Sequence, residues 1–144
     1  AAAPAFAVTV SRADGQPMNP NGEPFTATGA TNLNKGVSAA CTATFSGTIT
    51  ASGIVQITTA TFAGGNLCGA ISAVTPWNGQ ADTTTQLSIN NAAVNVQLLG
   101  SCGPSKIVTA FNGTDSSLTF NNATLSGGCT VNGTVNTSPK FLVK

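Results

Sequence analysis

The stretch Cys41-Thr42-Ala43-Thr44-Phe45-Ser46-Gly47-Thr48-Ile49-Thr50-Ala51, resumed after Ser52-Gly53 as Ile54-Val55-Gln56-Ile57-Thr58-Thr59-Ala60-Thr61-Phe62, decides the fold class. Apolar and small polar residues alternate, β-branched residues dominate, and nothing recurs at the 3.6-residue spacing of a helix. Two strands joined at a glycine turn are the direct reading. The same texture extends in both directions. Strands are expected over residues 6–10, 24–31, 40–51, 54–62, 69–76, 86–89, 93–100, 106–112, 116–120, 124–126, 130–136 and 140–143. Asn21-Gly22, Asn78-Gly79, Asn112-Gly113 and Asn132-Gly133 supply the positive-φ residues that tight turns want. The protein is read as all-β.

Four cysteines punctuate the pattern. Cys41 and Cys68 stand 27 residues apart, and so do Cys102 and Cys129. The text around them repeats: Thr59-Ala60-Thr61-Phe62-Ala63-Gly64-Gly65 precedes Cys68 as Asn122-Ala123-Thr124-Leu125-Ser126-Gly127-Gly128 precedes Cys129, with two residues inserted before Cys68. A shorter echo pairs Leu87-Ser88-Ile89-Asn90-Asn91-Ala92 with Leu118-Thr119-Phe120-Asn121-Asn122-Ala123. Two similar meander halves are expected, each closed by its own bridge, Cys41–Cys68 and Cys102–Cys129, although four cysteines allow three connectivities. Such halves pack face to face as an antiparallel β-sandwich or roll into a barrel, and the sandwich is preferred. A bridge closing a loop of that length stabilises by roughly 3–4 kcal/mol in the chain-entropy model.

The 144 residues fit one domain with one core. Only 6% are charged and 41% are hydrophobic. Thr, Ser, Asn, Gly and Ala replace the usual charges, so disorder is not expected. A net charge of +1 without clusters gives no means of neutralising a row of phosphates, and nucleic acid is excluded as a partner. Weak mutual repulsion favours self-association. An even cysteine count without close Cys-x-x-Cys pairs points to disulfides, hence to export into an oxidising compartment. The opening Ala1-Ala2-Ala3-Pro4-Ala5 resembles the small residues that follow signal-peptide removal. No apolar run approaches the ~20 residues that span a bilayer, so membrane insertion is not expected.

The chemistry available is narrow. With no His and no Tyr, the commonest general base, the imidazole metal ligand and the phenolic acid are missing. The four carboxylates Asp14, Glu23, Asp82 and Asp115 stand apart beside turn residues and read as solvated loop groups. No segment concentrates the oxygen ligands a calcium ion needs. No catalytic residue, metal or cofactor is assigned, and an enzyme is not expected. Asn112, Asn122, Asn132 and Asn136 begin glycosylation sequons, which arise by chance in a chain this rich in Thr and Asn. Trp77, the single tryptophan, lies between Pro76 and Asn78-Gly79, at a strand end where it either caps the core or stacks on an apolar or carbohydrate ligand.

The ends carry the remaining signal. Phe6, Val8 and Val10 alternate with Ala7 and Thr9, giving residues 1–12 the character of a strand with one apolar face. A linker over residues 13–23, with Pro17 and Pro20, separates it from a β domain over residues 24–144. Such a strand can add to a sheet, either its own or a neighbour's. Repeated head to tail, the contact does not close and produces a filament whose partner is the protein itself. The expectation is therefore a structural subunit of an extracellular filament or matrix fibre. The alternative is a secreted binding module with Trp77 at its site.

Phe25-Thr26-Ala27-Thr28-Gly29, Cys41-Thr42-Ala43-Thr44-Phe45-Ser46-Gly47, Ala60-Thr61-Phe62-Ala63-Gly64 ahead of Cys68, and the Pro76-Trp77 pair resemble small exported bacterial alkane-oxidation activator proteins over roughly residues 24–136. The resemblance implies secretion from a Gram-negative bacterium and association with the cell surface, biofilm matrix or growth on hydrocarbons. The N-terminal segment also looks like the donor strand of pilins that assemble by strand exchange. The terminal Lys140-Phe141-Leu142-Val143-Lys144 departs in part from the near-terminal aromatic, often Tyr, of chaperone–usher pilins.

Overall fold

The computed structural model describes residues 8–144. Eleven strands follow one another: β1 (Val10–Arg12), β2 (Glu23–Asn34), β3 (Ser38–Ile49), β4 (Ile54–Ala63), β5 (Ile71–Ala73), β6 (Trp77–Thr83), β7 (Gln86–Val96), β8 (Gly100–Asn112), β9 (Ser117–Leu125), β10 (Cys129–Ser138) and β11 (Phe141–Val143). One 3-10 turn, Cys68–Ala70, precedes β5. All pairings are antiparallel.

Of the two architectures expected, the barrel is the one adopted. Strands β2, β3, β4, β6, β7, β8, β9 and β10 pair in chain order, and β10 returns to β2 to close the ring. Strand β5 is appended to β7, and β1 pairs with β11 in a separate two-stranded ribbon. Closure removes the sheet edges that would otherwise offer unpaired backbone groups. An eight-stranded ring is just wide enough for side chains to fill its interior. Phe25, Ala27, Thr31 and Leu33 of β2 point inward while Thr26 and Thr28 face solvent, the period of two that the sequence displays.

The echo Asn90-Asn91-Ala92 and Asn121-Asn122-Ala123 marks a β-bulge in each half. Between Ile89 and Ala92 strand β7 carries one residue more than β8, and between Phe120 and Ala123 strand β9 carries one more than β10. A third bulge puts Thr58 of β4 between Ile57 and Thr59, opposite Gly47 and Ser46 of β3. Each extra residue moves the inward row from one parity to the other: Leu87 and Ile89 give way to Ala92, Val94 and Val96. The sequence therefore reads β7 as two strands, 86–89 and 93–100, and β9 as 116–120 and 124–126. Asn78-Gly79 and Asn132-Gly133 are not turns. The first pair lies inside β6, a strand the sequence reading omits, and the second inside β10 opposite the β9 bulge.

The strands run between two ends. The turns after β2, β4, β7 and β9 gather with both disulfides at one end, the head. The turns after β3, β6, β8 and β10 gather with the β1–β11 ribbon at the other, the foot.

Candidate functional site

Both bridges have the pairing preferred from the spacing. Cys41 of β3 joins Cys68 in the 3-10 turn, and Cys102 of β8 joins Cys129 at the start of β10, with Cα separations of 5.7 and 5.8 Å. All four cysteines are buried. Across the head, Lys35 Nζ in the turn after β2 donates to the carbonyl of Gly127 in the turn after β9, so the two halves meet there.

Trp77 begins a strand instead of ending one. It opens β6, is 4% exposed, and its Nε1 donates to the Val74 carbonyl at 2.7 Å. Its ring lies 5.9 Å from that of Phe45, which also meets Phe62 edge-on at 6.2 Å and Phe120 at 6.0 Å. Aromatic pairs at such separations add about 0.5–1.5 kcal/mol each beyond their buried area. These four rings border a cavity of about 40 Å³ in the head half of the barrel, completed by aliphatic side chains including Leu33 and Val94. Its one polar side chain, Thr31, already donates to the Cys41 carbonyl.

Of the N-terminal strand, Phe6 lies outside the described residues. Val8 and Val10 are buried, Val10 at 1% exposure. Val10–Arg12 pair with Val143–Phe141 in register, Thr9 and Lys144 exchange backbone bonds of 2.7 and 2.9 Å, and Val10 N donates to Ala51 O at 2.8 Å. The segment thus fits between β11 and the turn after β3. Phe141 and Phe25 meet edge-on beside it at 6.3 Å.

The foot also holds the ion pairs found among the described residues. Arg12 bonds Asp14 at 2.6 Å and Glu23 at 3.0 Å. The hydrogen bond from Arg12, aided by the Gln16 amide, holds the Asp14 carboxyl below its ordinary range. Glu23 is buried rather than solvated, and it also accepts from the Asn19 amide. Asp82 is on β6, not in a loop. Burial disfavours its charge, but hydrogen bonds from Ser88, Gln86 and Gln80, with the nearby charge of Lys106, outweigh that and lower its pKa. Sequence reasoning missed this polar cluster because it missed β6, which brings Asp82 beside β7. Among the described residues no group of three or more His, Cys, Asp or Glu side chains could hold a metal ion.

The model of the family described as alkane oxidation protein activator PraA/PraB-like matches residues 1–144. No curated protein and no solved structure matches.

Proposed function

We propose that this chain, which belongs to the alkane oxidation protein activator PraA/PraB-like family, is a structural subunit of an extracellular filament or matrix fibre. Subunits join when the N-terminal strand of one takes the seat that the same strand occupies at the foot of the next. The observation that carries the reading is the seat itself. Residues 8–12 touch a groove made entirely by later parts of the chain, the turn after β3 and strand β11. They are tethered only through residues 13–22, a loop exposed except at Met18, which packs against the core, and at the buried Gly22. Such a loop reaches roughly 33–36 Å when extended. The same groove accepts the identical strand from a neighbour with the same bonds, the logic of domain swapping, and head-to-tail repetition leaves the chain of subunits open.

The outer face is consistent with a life in water. Thr and Asn point outward and apolar residues inward, opposite to a barrel facing lipid. Two bridges favour an oxidising location outside the cytoplasm of a Gram-negative cell.

The test is negative-stain imaging of the purified protein beside a variant lacking residues 1–12, which leaves all eight ring strands intact. Filaments in the first and monomers in the second are expected. A synthetic peptide of residues 1–12 should restore the truncated barrel's stability without restoring filaments. Filaments that persist after truncation, or monomers in both samples, would overturn the reading.

A further inference from the structure

The wall of the barrel has two stretches without ladder pairs among the described residues: β8 pairs β9 only over Ala110–Asn112, though Gly103 N bonds Ser126 O again at the head, and the other stretch lies beside β4. Strand β6 bonds β4 only along Ile54–Ile57. Beyond that point, towards the head, β4 keeps its ladder with β3, while its other flank faces β5. Strand β5 lies against β4, but its ladder goes to β7, Ile71 to Val96 and Ala73 to Val94. The neighbouring backbone follows it: Val74 N donates to Ala93 O and Gln97 N to Ala70 O, both at 2.9 Å. Among the described residues, the seam between residues 58–63 and β5 is closed by packing alone.

The aromatic cavity lies directly behind this seam. Phe62, half-buried, belongs to the β4 side, and Trp77 begins the strand below it. The Thr31 hydroxyl and the Trp77 N–H are both already bonded within the protein. An entering group therefore meets dispersion and no hydrogen-bond partner, which selects for hydrocarbon and against any group that needs solvation. Apolar cavities of this kind stay dry and take up apolar guests. At about 40 Å³, against roughly 10–15 Å³ for one water-sized group on the same measure, the space holds about three such groups. It suits the end of a chain and not a whole bulky ligand. No charged residue occurs from Gly36 to Ala81, the segment that builds both sides of the seam.

We infer that this cavity binds the end of an unfunctionalised alkyl chain, admitted through the β4–β5 seam, and that the Cys41–Cys68 bridge is the latch of that seam. The latch follows from topology. Cys41 is on β3 and Cys68 is in the turn that leads into β5, so the bridge passes over the head end of β4 and fastens β5 to the far side of the gap. Opening the seam breaks no ladder bond. It requires only that β5 and Phe62 separate.

The inference does not depend on filament assembly. With one Trp and no Tyr in the chain, near-ultraviolet emission reports on the cavity alone. Titrating the native protein with 1-bromobutane should quench Trp77 saturably. n-Pentane should compete, with pentanoate at least tenfold weaker. Quenching that rises linearly to the solubility limit, or equal competition by pentanoate, would overturn the site. For the entry route, stopped-flow quenching should be at least fivefold faster in Cys41→Ala/Cys68→Ala and in Phe62→Ala, and unchanged in Cys102→Ala/Cys129→Ala. Should the first variant fail to fold, Phe62→Ala alone decides. A saturable signal whose rate stays at the wild-type value in every folded variant would place entry elsewhere and overturn the seam.

Discussion

The two halves of the barrel begin from matching text and end in different walls. In the second half, Gly127-Gly128 leads straight to Cys129, which opens β10, so β9 and β10 pair along their length, while β8 pairs β9 over Ala110–Asn112 and is bonded again at the head from Gly103 N to Ser126 O. In the first half, Asn66-Leu67 stands between Gly65 and Cys68, and the cysteine opens a 3-10 turn instead of a strand. The chain then makes β5 outside the ring before returning as β6. Two inserted residues therefore coincide with the change from a head end bonded across β8 and β9 to one where β4 and β5 share no backbone bond among the described residues. The bridge that clamps two ring strands in one half fastens an appended strand in the other.

The strongest way to break this comparison is to remove the bridges in turn. Equal loops of 27 residues predict equal loss, about 3–4 kcal/mol each, if only the unfolded chain matters. If the first bridge holds a separable strand, its removal also frees the native state and part of that loss is recovered. Urea unfolding should accordingly show Cys102→Ala/Cys129→Ala losing more stability than Cys41→Ala/Cys68→Ala. Equal losses would erase the distinction between clamp and latch.

A smaller effect separates Gly47 from Val108, each six residues after the first cysteine of its half. A Cβ on Gly47 would lie 1.9 Å from the Gln56 carbonyl oxygen, at the bulge where β4 crowds β3. Val108 is half exposed on the open face of β8. Gly47→Ala should cost about 1–3 kcal/mol, as overpacking does, whereas Val108→Ala should stay within about 0.5 kcal/mol, as surface changes do. Thermal unfolding of the two variants measures the difference.

Asp82 sits where the halves join, its carboxylate accepting from Ser88 and Gln86 of β7. Its folded pKa is lowered, so its contribution is present above the unfolded value, near 3.9, and fades as pH falls through the lower folded value. Asp82→Asn should flatten the acid side of the stability curve below about pH 4 while leaving the neutral side nearly parallel to wild type. Urea midpoints between pH 5 and pH 2 test it, and an unchanged acid slope would remove Asp82 from the junction.

The class of fold, both bridges and the two-half organisation were legible because alternation and cysteine spacing are properties of the chain itself. What misled was phase. Bulges at residues 90–91 and 121–122 invert the inward row in mid-strand, so two continuous strands read as broken ones, whereas β4 reads as one strand across its own bulge at Thr58. Asn78-Gly79 carries a turn signature, yet tertiary pairing with β4 and β7 holds it in a strand. With β6 unread, the ring closure could not follow, and the cavity was invisible. The seam had no signal of its own, because the lack of a bond between two elements is a property of the closed ring.

The smallest prediction compares the head turns that open each half. Gly36, after β2, has φ +76° and Leu98, after β7, has φ +71°. That left-handed conformation is free to glycine and costs other residues about 1–2 kcal/mol. Leu98 is 99% exposed, so its side chain regains none of this through packing. Leu98→Gly should therefore stabilise the barrel, by no more than about 1 kcal/mol because glycine also gains freedom in the unfolded chain. Gly36→Leu, which places the same strain in the first half, should destabilise by a similar amount. A paired shift of opposite sign in urea midpoint would establish that the halves share one turn geometry and differ only in what they place on it. A loss of stability in Leu98→Gly would mean that the leucine makes contacts in the assembled protein that compensate its backbone, and repeating the measurement on filaments and on monomers lacking residues 1–12 would locate them.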